Sequence, residues 1–187
     1  MDTFNEFNNA ISNRNFLSTL GFKFTITRAP KVSYFSNTAN IPDLTLGVTY
    51  QPNYLNDIPI PGDKIEFGDF TLKFLVDENL ENYMEIQNWM RGLGFPESLN
   101  EIYDLQKTKS KYESPPKSQM NIYSDGTLIV VNSNQNYNFE VRFRSLFPYK
   151  LSALQFDSTT PDNEYFSADV SFKYMMYNIV DKNGNPL

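Results

Sequence analysis

The chain carries few side chains that could do chemistry. It contains no cysteine and no histidine, which excludes thiolate nucleophiles, metal sites built on Cys or His, and serine triads of the usual form. The densest acidic group is Asp77, Glu78 and Glu81, which could serve acid–base catalysis. Negative charge in the first turn of a helix explains the same three residues. We therefore expect a protein that is not an enzyme, with no catalytic residue.

No cofactor or metal site is predicted either. The sequence lacks the glycine-rich phosphate loop, the dinucleotide fingerprint and the nucleophile elbow. Residues 181–185 have a faint likeness to a calcium loop but lack the glycine at the sixth position and the closing glutamate. We interpret them as a turn.

The charge balance argues against conventional DNA binding. Sixteen basic residues face 22 acidic ones, a formal net charge of −6 over 187 residues, whereas nucleic-acid binders are basic because phosphate contacts supply their affinity. No apolar run is long enough to span a membrane, and the polar start is unlike a signal peptide. We expect no membrane partner and folding in a reducing cytoplasm.

The spacing of apolar residues predicts a mainly β fold, a sandwich or half-open barrel with one packed helix. The 16 Phe and 12 Tyr favour sheets, and apolar residues alternate with polar ones in several segments. The polar residues of the three clearest alternating segments are Lys23, Thr25, Thr27, Glu140, Arg142, Arg144, Asp169, Ser171 and Lys173.

One helix follows Asp77, which we predict as its N-cap. Leu80, Ile86 and Leu93 belong to its apolar stripe. The charged residues on its outer side are Glu78, Glu81, Glu85 and Arg91.

Turns and breaks are predicted from Gly and Pro. Alternation over residues 44–50 indicates a strand, and Pro52, Pro59 and Pro61 then require edges or loops. A change of parity at residues 68–69 indicates a bulge or tight turn. Residues 124–127, Ser-Asp-Gly-Thr, are predicted to form the turn of a hairpin.

The last strand, residues 166–177, becomes apolar on both faces at its end. A strand of this kind has a cover on each side, and in a small domain the second cover is often another subunit. The candidate inter-subunit residues are Met175, Met176, Tyr177 and Ile179.

Three stretches read together resemble the tail tube proteins of contractile-tailed phages, the myovirus tube family. They are residues 61–74, with Gly-Asp, aromatic and Asp-aromatic steps before an alternating strand; residues 76–89, an Asp-Glu start and a Trp-bearing helix; and residues 145–177, with an aromatic-Pro turn and a long closing strand. The resemblance covers roughly residues 22–177. Residues 94–119 and 178–187 have no counterpart in the family pattern.

This resemblance implies a hexameric ring, and rings that stack into a hollow tube. Each subunit would give strands to an inner barrel and turn its helix outward toward a sheath protein. Tape-measure protein and then DNA would occupy the lumen, and baseplate and tail terminator proteins would meet the ends. The location implied is the virion tail, after assembly in the host cytoplasm.

The charge pattern fits this expectation in part. Six chains at −6 give about −36 per ring, and a lumen of that sign would repel phosphate. The polar strand residues given above would face either the lumen or plain solvent, and their mixed signs weaken the picture of an acidic lumen. The charged residues of the helix would face sheath or solvent.

We expect a single domain, residues 1–187, with an N-terminal arm (1–20), an inserted loop (94–119) and a C-terminal tail (178–187). The Lys-rich stretch 104–119 is either a solvated loop or a partner-binding loop. Alternative functions are a baseplate tube initiator and the tube protein of a related injection machine such as a type VI secretion system. A carbohydrate- or peptide-binding β-sandwich is a further alternative, with stacking platforms at Tyr34, Tyr50, Tyr54 and Tyr112.

Overall fold

A computed structural model describes residue 17 and residues 21–101, 122–132, 134, 136–156 and 165–187. Of the expected arm it describes only Leu17, and of the expected inserted loop only residues 94–101. The Lys-rich stretch 104–119, with Tyr112, lies outside the described residues.

Strands dominate the described part of the chain, as expected. The strands are β1 (Phe22–Ile26), β2 (Ser36–Ala39), β3 (Leu44–Gln51), β4 (Ile58–Phe67), β5 (Phe70–Leu75), β6 (Ser124–Val131), β7 (Tyr137–Leu151), β8 (Ser167–Lys173) and β9 (Met176–Asp181). The helices are α1 (Pro30–Tyr34) and α2 (Glu81–Gly94). No helix among the described residues is long and apolar enough to cross a membrane.

The main sheet is antiparallel, with the strand order β1-β6-β7-β8-β5-β2. Strand β9 pairs with the first half of β7, next to the place where β8 pairs with the second half. Helix α1 joins β1 to β2, the two ends of this order, and these end strands lie near each other. The sheet therefore curves into a half-barrel, and the mainly β fold with a packed helix is confirmed.

The core lies inside this curved sheet and is largely aromatic. Phe70 is fully buried, and its ring lies 4.9 Å from Phe24, 4.5 Å from Phe143 and 5.9 Å from Phe172. Each of these residues belongs to the apolar parity of its strand, because successive side chains of a strand point to opposite faces. The indole of Trp89, on α2, closes one side of the core and donates a hydrogen bond to the Ile122 carbonyl at 2.8 Å.

Strand β7 changes its buried parity halfway along. Val141 and Phe143 are buried before Ser145, and Leu146 is buried after it. Ser145 has φ of 54°, in the left-handed region, and its N–H donates to the Asp125 carboxylate at 3.2 Å. This single irregular residue lets one strand serve both halves of the sheet. The aromatic-Pro turn expected at residues 145–148 is therefore wrong, since these residues continue the strand.

The hairpin turn predicted at residues 124–127 is also wrong, because these residues belong to β6. Gly126 lies opposite Phe143 in the sheet, and a Cβ atom there would lie 3.2 Å from a ring carbon of Phe24. The glycine makes room for a core aromatic ring, which is the other common use of glycine inside a strand.

Helix α2 begins later than the sequence indicates, and Asp77 is not its N-cap. The residue before the helix is Leu80, with φ of 58° and no side-chain capping bond. The buried Asn82 organises this start: its amide donates to the Leu75 carbonyl at 2.7 Å, and its oxygen accepts from the Asp77 N–H at 3.2 Å. A buried amide with its hydrogen bonds made holds the loop without a cap.

The closing segment contains two strands, β8 and β9, where the sequence predicts one. Tyr174 and Met175 separate them. The expected C-terminal tail is partly in the sheet, since β9 extends to Asp181. The turn expected at residues 181–185 is confirmed: the Asp181 carboxylate accepts from the N–H groups of Asn183 and Asn185 at 2.7 and 2.9 Å. The chain then returns along β9, where Leu187 donates to the Ile179 carbonyl at 3.2 Å.

Candidate subunit interface

The most unusual surface of the described chain is the hairpin formed by β3 and β4. These strands pair with each other in a separate two-stranded sheet, and every residue of β3 is exposed. The alternation over residues 44–50 therefore correctly predicts a strand, but among the described strands this one pairs only with β4, and its side chains stay exposed. Pro59 and Pro61 lie within β4, which tolerates proline because a two-stranded sheet consists of edge strands.

One face of this hairpin is apolar along its whole length. Leu44, Leu46, Val48 and Tyr50 share that face and are 55%, 45%, 55% and 63% exposed. The residues paired with them on β4 are Phe67, Ile65, Pro61 and Pro59. We name this surface the hairpin face. Single subunits rarely leave so continuous an apolar stripe uncovered, so it is the best candidate interface of the chain.

A bulge interrupts the hairpin face near its middle. Leu46 pairs with Ile65 and Val48 pairs with Pro61, so β4 has two extra residues at this point. Gly62 and Gly47 lie against each other here, and a Cβ atom on Gly62 would lie 2.7 Å from the Gly47 carbonyl oxygen. The close approach of two backbones requires glycine at position 62.

The break predicted at residues 68–69 is confirmed, and it is the root of the hairpin. Strand β4 ends at Phe67 and β5 begins at Phe70. The Asp69 carboxylate between them accepts a hydrogen bond from the Tyr149 hydroxyl and pairs with the Lys173 ammonium. Both contacts hold the pKa of Asp69 below its ordinary value, and the contact with Lys173 has the larger effect. Asp69 thus ties the root of the hairpin to β7 and β8.

The four predicted inter-subunit residues lie in two different environments. Met175 and Met176 are 73% and 37% exposed, at the junction of β8 and β9. Tyr177 and Ile179 are half-buried, lie opposite Phe143 and Val141, and pack on the core of their own chain. Of the two surfaces inferred from the sequence to cover this strand, one is therefore the core of the same chain.

The polar strand residues all point away from the core, as their parity indicates. Glu140 and Ser171 are half-buried and the other seven are exposed, with Thr27 just beyond the end of β1. Several have partners within the chain: Arg142 pairs with Glu140, and Lys173 with Asp69. The register places them on one continuous side of the sheet, a side that carries both signs of charge.

The charged residues expected on the outer side of the helix are mostly engaged within the chain. Glu81 pairs with Lys31 on α1, and Arg91 pairs with Glu97 and Glu101 at 2.7 and 2.9 Å. Burial raises the pKa of Glu85, an effect opposed by the hydrogen bond that its carboxylate accepts from the backbone N–H of Lys31. Glu78 is exposed and precedes the helix.

No three acidic side chains among the described residues lie close enough to hold a metal ion. Sequence reasoning missed Tyr174, and it predicted Tyr177 only as an inter-subunit residue. The hydroxyls of these two residues donate to the Gly68 and Pro42 carbonyls at the hairpin root. The only signal in the sequence is that parity breaks at residues 174–175, which does not identify a partner.

A curved sheet carrying an uncovered apolar hairpin is typical of a subunit made to assemble with others. The sequence model of the phage tail tube protein family matches residues 3–180. The chain therefore belongs to the phage tail tube protein family, and it is a structural tube protein. The resemblance to phage tail tube proteins found in the sequence is confirmed.

The fold is also similar to solved structures at low sequence identity. The tube-terminating cap of the anti-feeding prophage matches with a TM-score of 0.57 and 15% identity, over 95% of this chain and 99% of that one. A chain from the sheath–tube complex of PVC, an extracellular contractile injection system, matches with a TM-score of 0.55 and 13% identity, over 90% and 93%. No curated protein matches the chain.

Proposed function

We propose that six copies of this chain form a ring, and that stacked rings make the inner tube of a contractile phage tail, through which DNA leaves the virion. The family assignment supports the role in a tube. The observation that carries the assembly step is the hairpin face, an apolar stripe that stays largely exposed among the described residues, with only Phe67 at its root packed against the sheet. In a closed ring, and in a stack of rings, every subunit has neighbours that could cover this face.

The energy available from the hairpin face is consistent with this proposal. Fully burying an exposed Leu or Val side chain stabilises by about 1.5–3 kcal/mol. The four β3 residues of the face are each about half exposed, so covering them contributes about 1 kcal/mol each. A contact repeated at every subunit multiplies this modest gain through the cooperativity of a closed ring.

The other partners follow from the same proposal. The Met175–Met176 junction would meet a neighbouring subunit, and the polar side of the sheet would line the lumen or face solvent. The exposed side of α2 would face the sheath protein. Tape-measure protein would occupy the lumen before DNA, and baseplate and terminator proteins would meet the tube ends. The solved sheath–tube complex and tube-terminating cap of similar fold support the sheath and the end-capping partner.

Location and chemistry follow in turn. The chain would reside in the virion tail after assembly in the host cytoplasm. DNA would pass through the lumen without being specifically bound, and the chain would need no cofactor and catalyse no reaction, since tube proteins act as structural elements. Its family assignment supports the tail location.

The test compares two neighbouring residues on opposite faces of β3. Leu46→Lys places a charge on the hairpin face, opposite Ile65, while Thr45→Lys places the same charge on the other face, opposite Glu66. Both positions are exposed, so neither change should alter the melting temperature. We expect Leu46→Lys to raise the protein concentration needed for tubes at least about tenfold, because a charge would be buried without a partner.

The measurement is negative-stain electron microscopy with light scattering at rising protein concentration. Thr45→Lys should form hollow six-fold tubes like the parent. Equal assembly by both variants would show that the hairpin face is not an interface. A parent protein that stays monomeric at high concentration, with sheath or baseplate proteins added, would refute the tube itself.

A subunit at the end of the tube is the second candidate, favoured by the similarity to a tube-terminating cap. An end subunit or baseplate initiator would form single rings that do not extend. The same micrographs distinguish the two, since a tube protein gives long stacks.

A further inference from the structure

The hairpin has no strand partner in the main sheet, so its direction depends on its root. Strand β3 pairs only with β4 among the described strands. The chain enters the hairpin through Pro42 and Asp43 and leaves it through Gly68 and Asp69. Whatever holds these two short segments determines where the hairpin face points.

Two tyrosines hold both segments at once. The Tyr174 hydroxyl donates to the Gly68 carbonyl at 2.8 Å, on the exit side of the hairpin. The Tyr177 hydroxyl donates to the Pro42 carbonyl at 3.3 Å, on the entry side. Tyr174 lies between β8 and β9 and Tyr177 lies in β9, so one short stretch of the sheet grips both ends of the hairpin.

The rings of the same tyrosines connect the hairpin to the core. Phe67, the last residue of β4, lies 6.0 Å from the Tyr174 ring and 5.5 Å from the Tyr177 ring. The two tyrosine rings lie 5.1 and 6.0 Å from the buried ring of Phe143. An aromatic cluster therefore runs without a gap from the root of the hairpin into the centre of the half-barrel.

The two root segments are also pressed together. The Gly68 N–H donates to the Asp43 carbonyl at 3.0 Å, and a Cβ atom on Gly68 would lie 1.7 Å from the Asp43 carboxylate. The entry and exit strands therefore cannot move independently, and the tyrosine contacts act on the hairpin as one unit. Burial raises the pKa of Tyr174, so its hydroxyl keeps the proton that it donates.

We infer that Tyr174 and Tyr177 are positioning residues that form a clasp, which fixes the direction of the hairpin before assembly begins. Their consequence for tube formation rests on the proposed function, because it requires the hairpin face to be an interface. A hairpin already aimed at its neighbour loses little conformational freedom on binding, whereas a swinging hairpin must be ordered at each contact. The clasp would thus lower the concentration at which subunits assemble.

The test removes the hydroxyls and keeps the rings, with the double substitution Tyr174→Phe and Tyr177→Phe. The matched control is Tyr83→Phe on α2, which loses a tyrosine hydrogen bond of 3.1 Å to the Ser152 carbonyl, a contact that involves no residue of the hairpin or its root. The single change Tyr177→Phe, which removes only the longer bond, is the milder variant if the double one folds poorly.

The readout is the direction of the hairpin itself. The chain has no cysteine, so Thr49→Cys on β3 and Thr25→Cys on β1 supply two unique positions for spin labels, both exposed. Pulsed electron spin resonance on the unassembled protein then gives the distribution of the distance between hairpin and sheet. We expect a narrow distribution in the parent and in Tyr83→Phe, and one about twice as wide in the clasp variant. Amide exchange in residues 44–67 should rise about tenfold in the clasp variant alone.

A distance distribution and amide exchange unchanged by the double substitution would overturn the clasp, as would equal broadening in Tyr83→Phe. The proposed function fails by a different result, a parent protein that stays monomeric, and normal assembly of Leu46→Lys would remove only the hairpin face as an interface. A clasp variant with a broadened distribution but an unchanged assembly concentration would support the clasp and exclude a role for it in tube formation.

Discussion

Asp69 is the charged residue with the most partners at the root of the hairpin. Lys173 and Tyr149 both contact its carboxylate, and Lys173 also lies over the Tyr149 ring at 5.5 Å. These contacts lower the pKa of Asp69 from its ordinary value of 3.8. Because the unfolded chain takes up this proton first, the stabilisation is complete above 3.8 and is lost as the pH falls through the lowered pKa.

A pH series on Asp69→Asn tests this contribution. We expect the parent to have the larger free energy of unfolding near pH 6, and the difference from Asp69→Asn to shrink as the pH falls below 3.8 and through the lowered pKa. Urea unfolding at each pH gives both values. Lys173→Met removes the partner and should lose its difference from the parent over the same range. A difference that is constant with pH would show that the pair contributes nothing through charge.

Two glycines face each other in the bulge of the hairpin, and only one is required by space. A Cβ atom on Gly62 would meet the Gly47 carbonyl oxygen at 2.7 Å, whereas a Cβ atom on Gly47 would lie 3.7 Å from the Lys64 carbonyl oxygen, an ordinary contact. Gly47 therefore provides a matched control for a substitution at Gly62 in the same bulge.

We expect Gly62→Ala to force the two strands apart at the bulge and to destabilise the hairpin by about 1–3 kcal/mol. Gly47→Ala should be neutral or slightly stabilising, because alanine is less flexible in the unfolded chain. Amide exchange along residues 44–67 reports the effect, with the amides of the main sheet as internal reference. Similar exchange in both variants would contradict this account of the bulge.

Charge acts on the molecule as a whole. A formal charge of −6 on each subunit means that bringing many copies together accumulates negative charge, about −36 for each proposed ring. Self-repulsion of this kind opposes association and is screened by salt. The hairpin face is apolar and keeps its driving force when salt is added.

We therefore expect the concentration needed for tubes to fall as sodium chloride rises from about 0.1 to about 1 M, where the screening length shortens from about 10 to about 3 Å. Light scattering against protein concentration measures it. Sucrose at equal osmotic strength is the control for exclusion effects. A rising assembly concentration would instead mean that opposite charges hold the subunits together.

The sequence by itself determined which residues share a face. The alternation at Phe24 and Ile26, and at Val170 and Phe172, predicts the core side of β1 and β8 correctly, because side-chain direction in a strand has a fixed period of two. The order of three motifs along the chain was enough to indicate the tube family. A change of parity at Gly68 and Asp69 marked the break there.

Only the tertiary structure decided what covers each face. The sequence cannot distinguish a glycine in a turn from a glycine inside a strand. Gly126 is inside a strand, where the Phe24 ring beside it leaves little room for a Cβ atom. The start of α2 depends on hydrogen bonds made by the buried Asn82, and the change of parity in β7 depends on the backbone of Ser145. Strand β3 of the hairpin face alternates like a buried strand, yet its apolar side chains are exposed in the described part of the chain. Periodicity in the sequence indicates the direction in which a side chain points. It does not indicate what packs on that side chain, because the packing residues are far away in the chain or belong to another molecule.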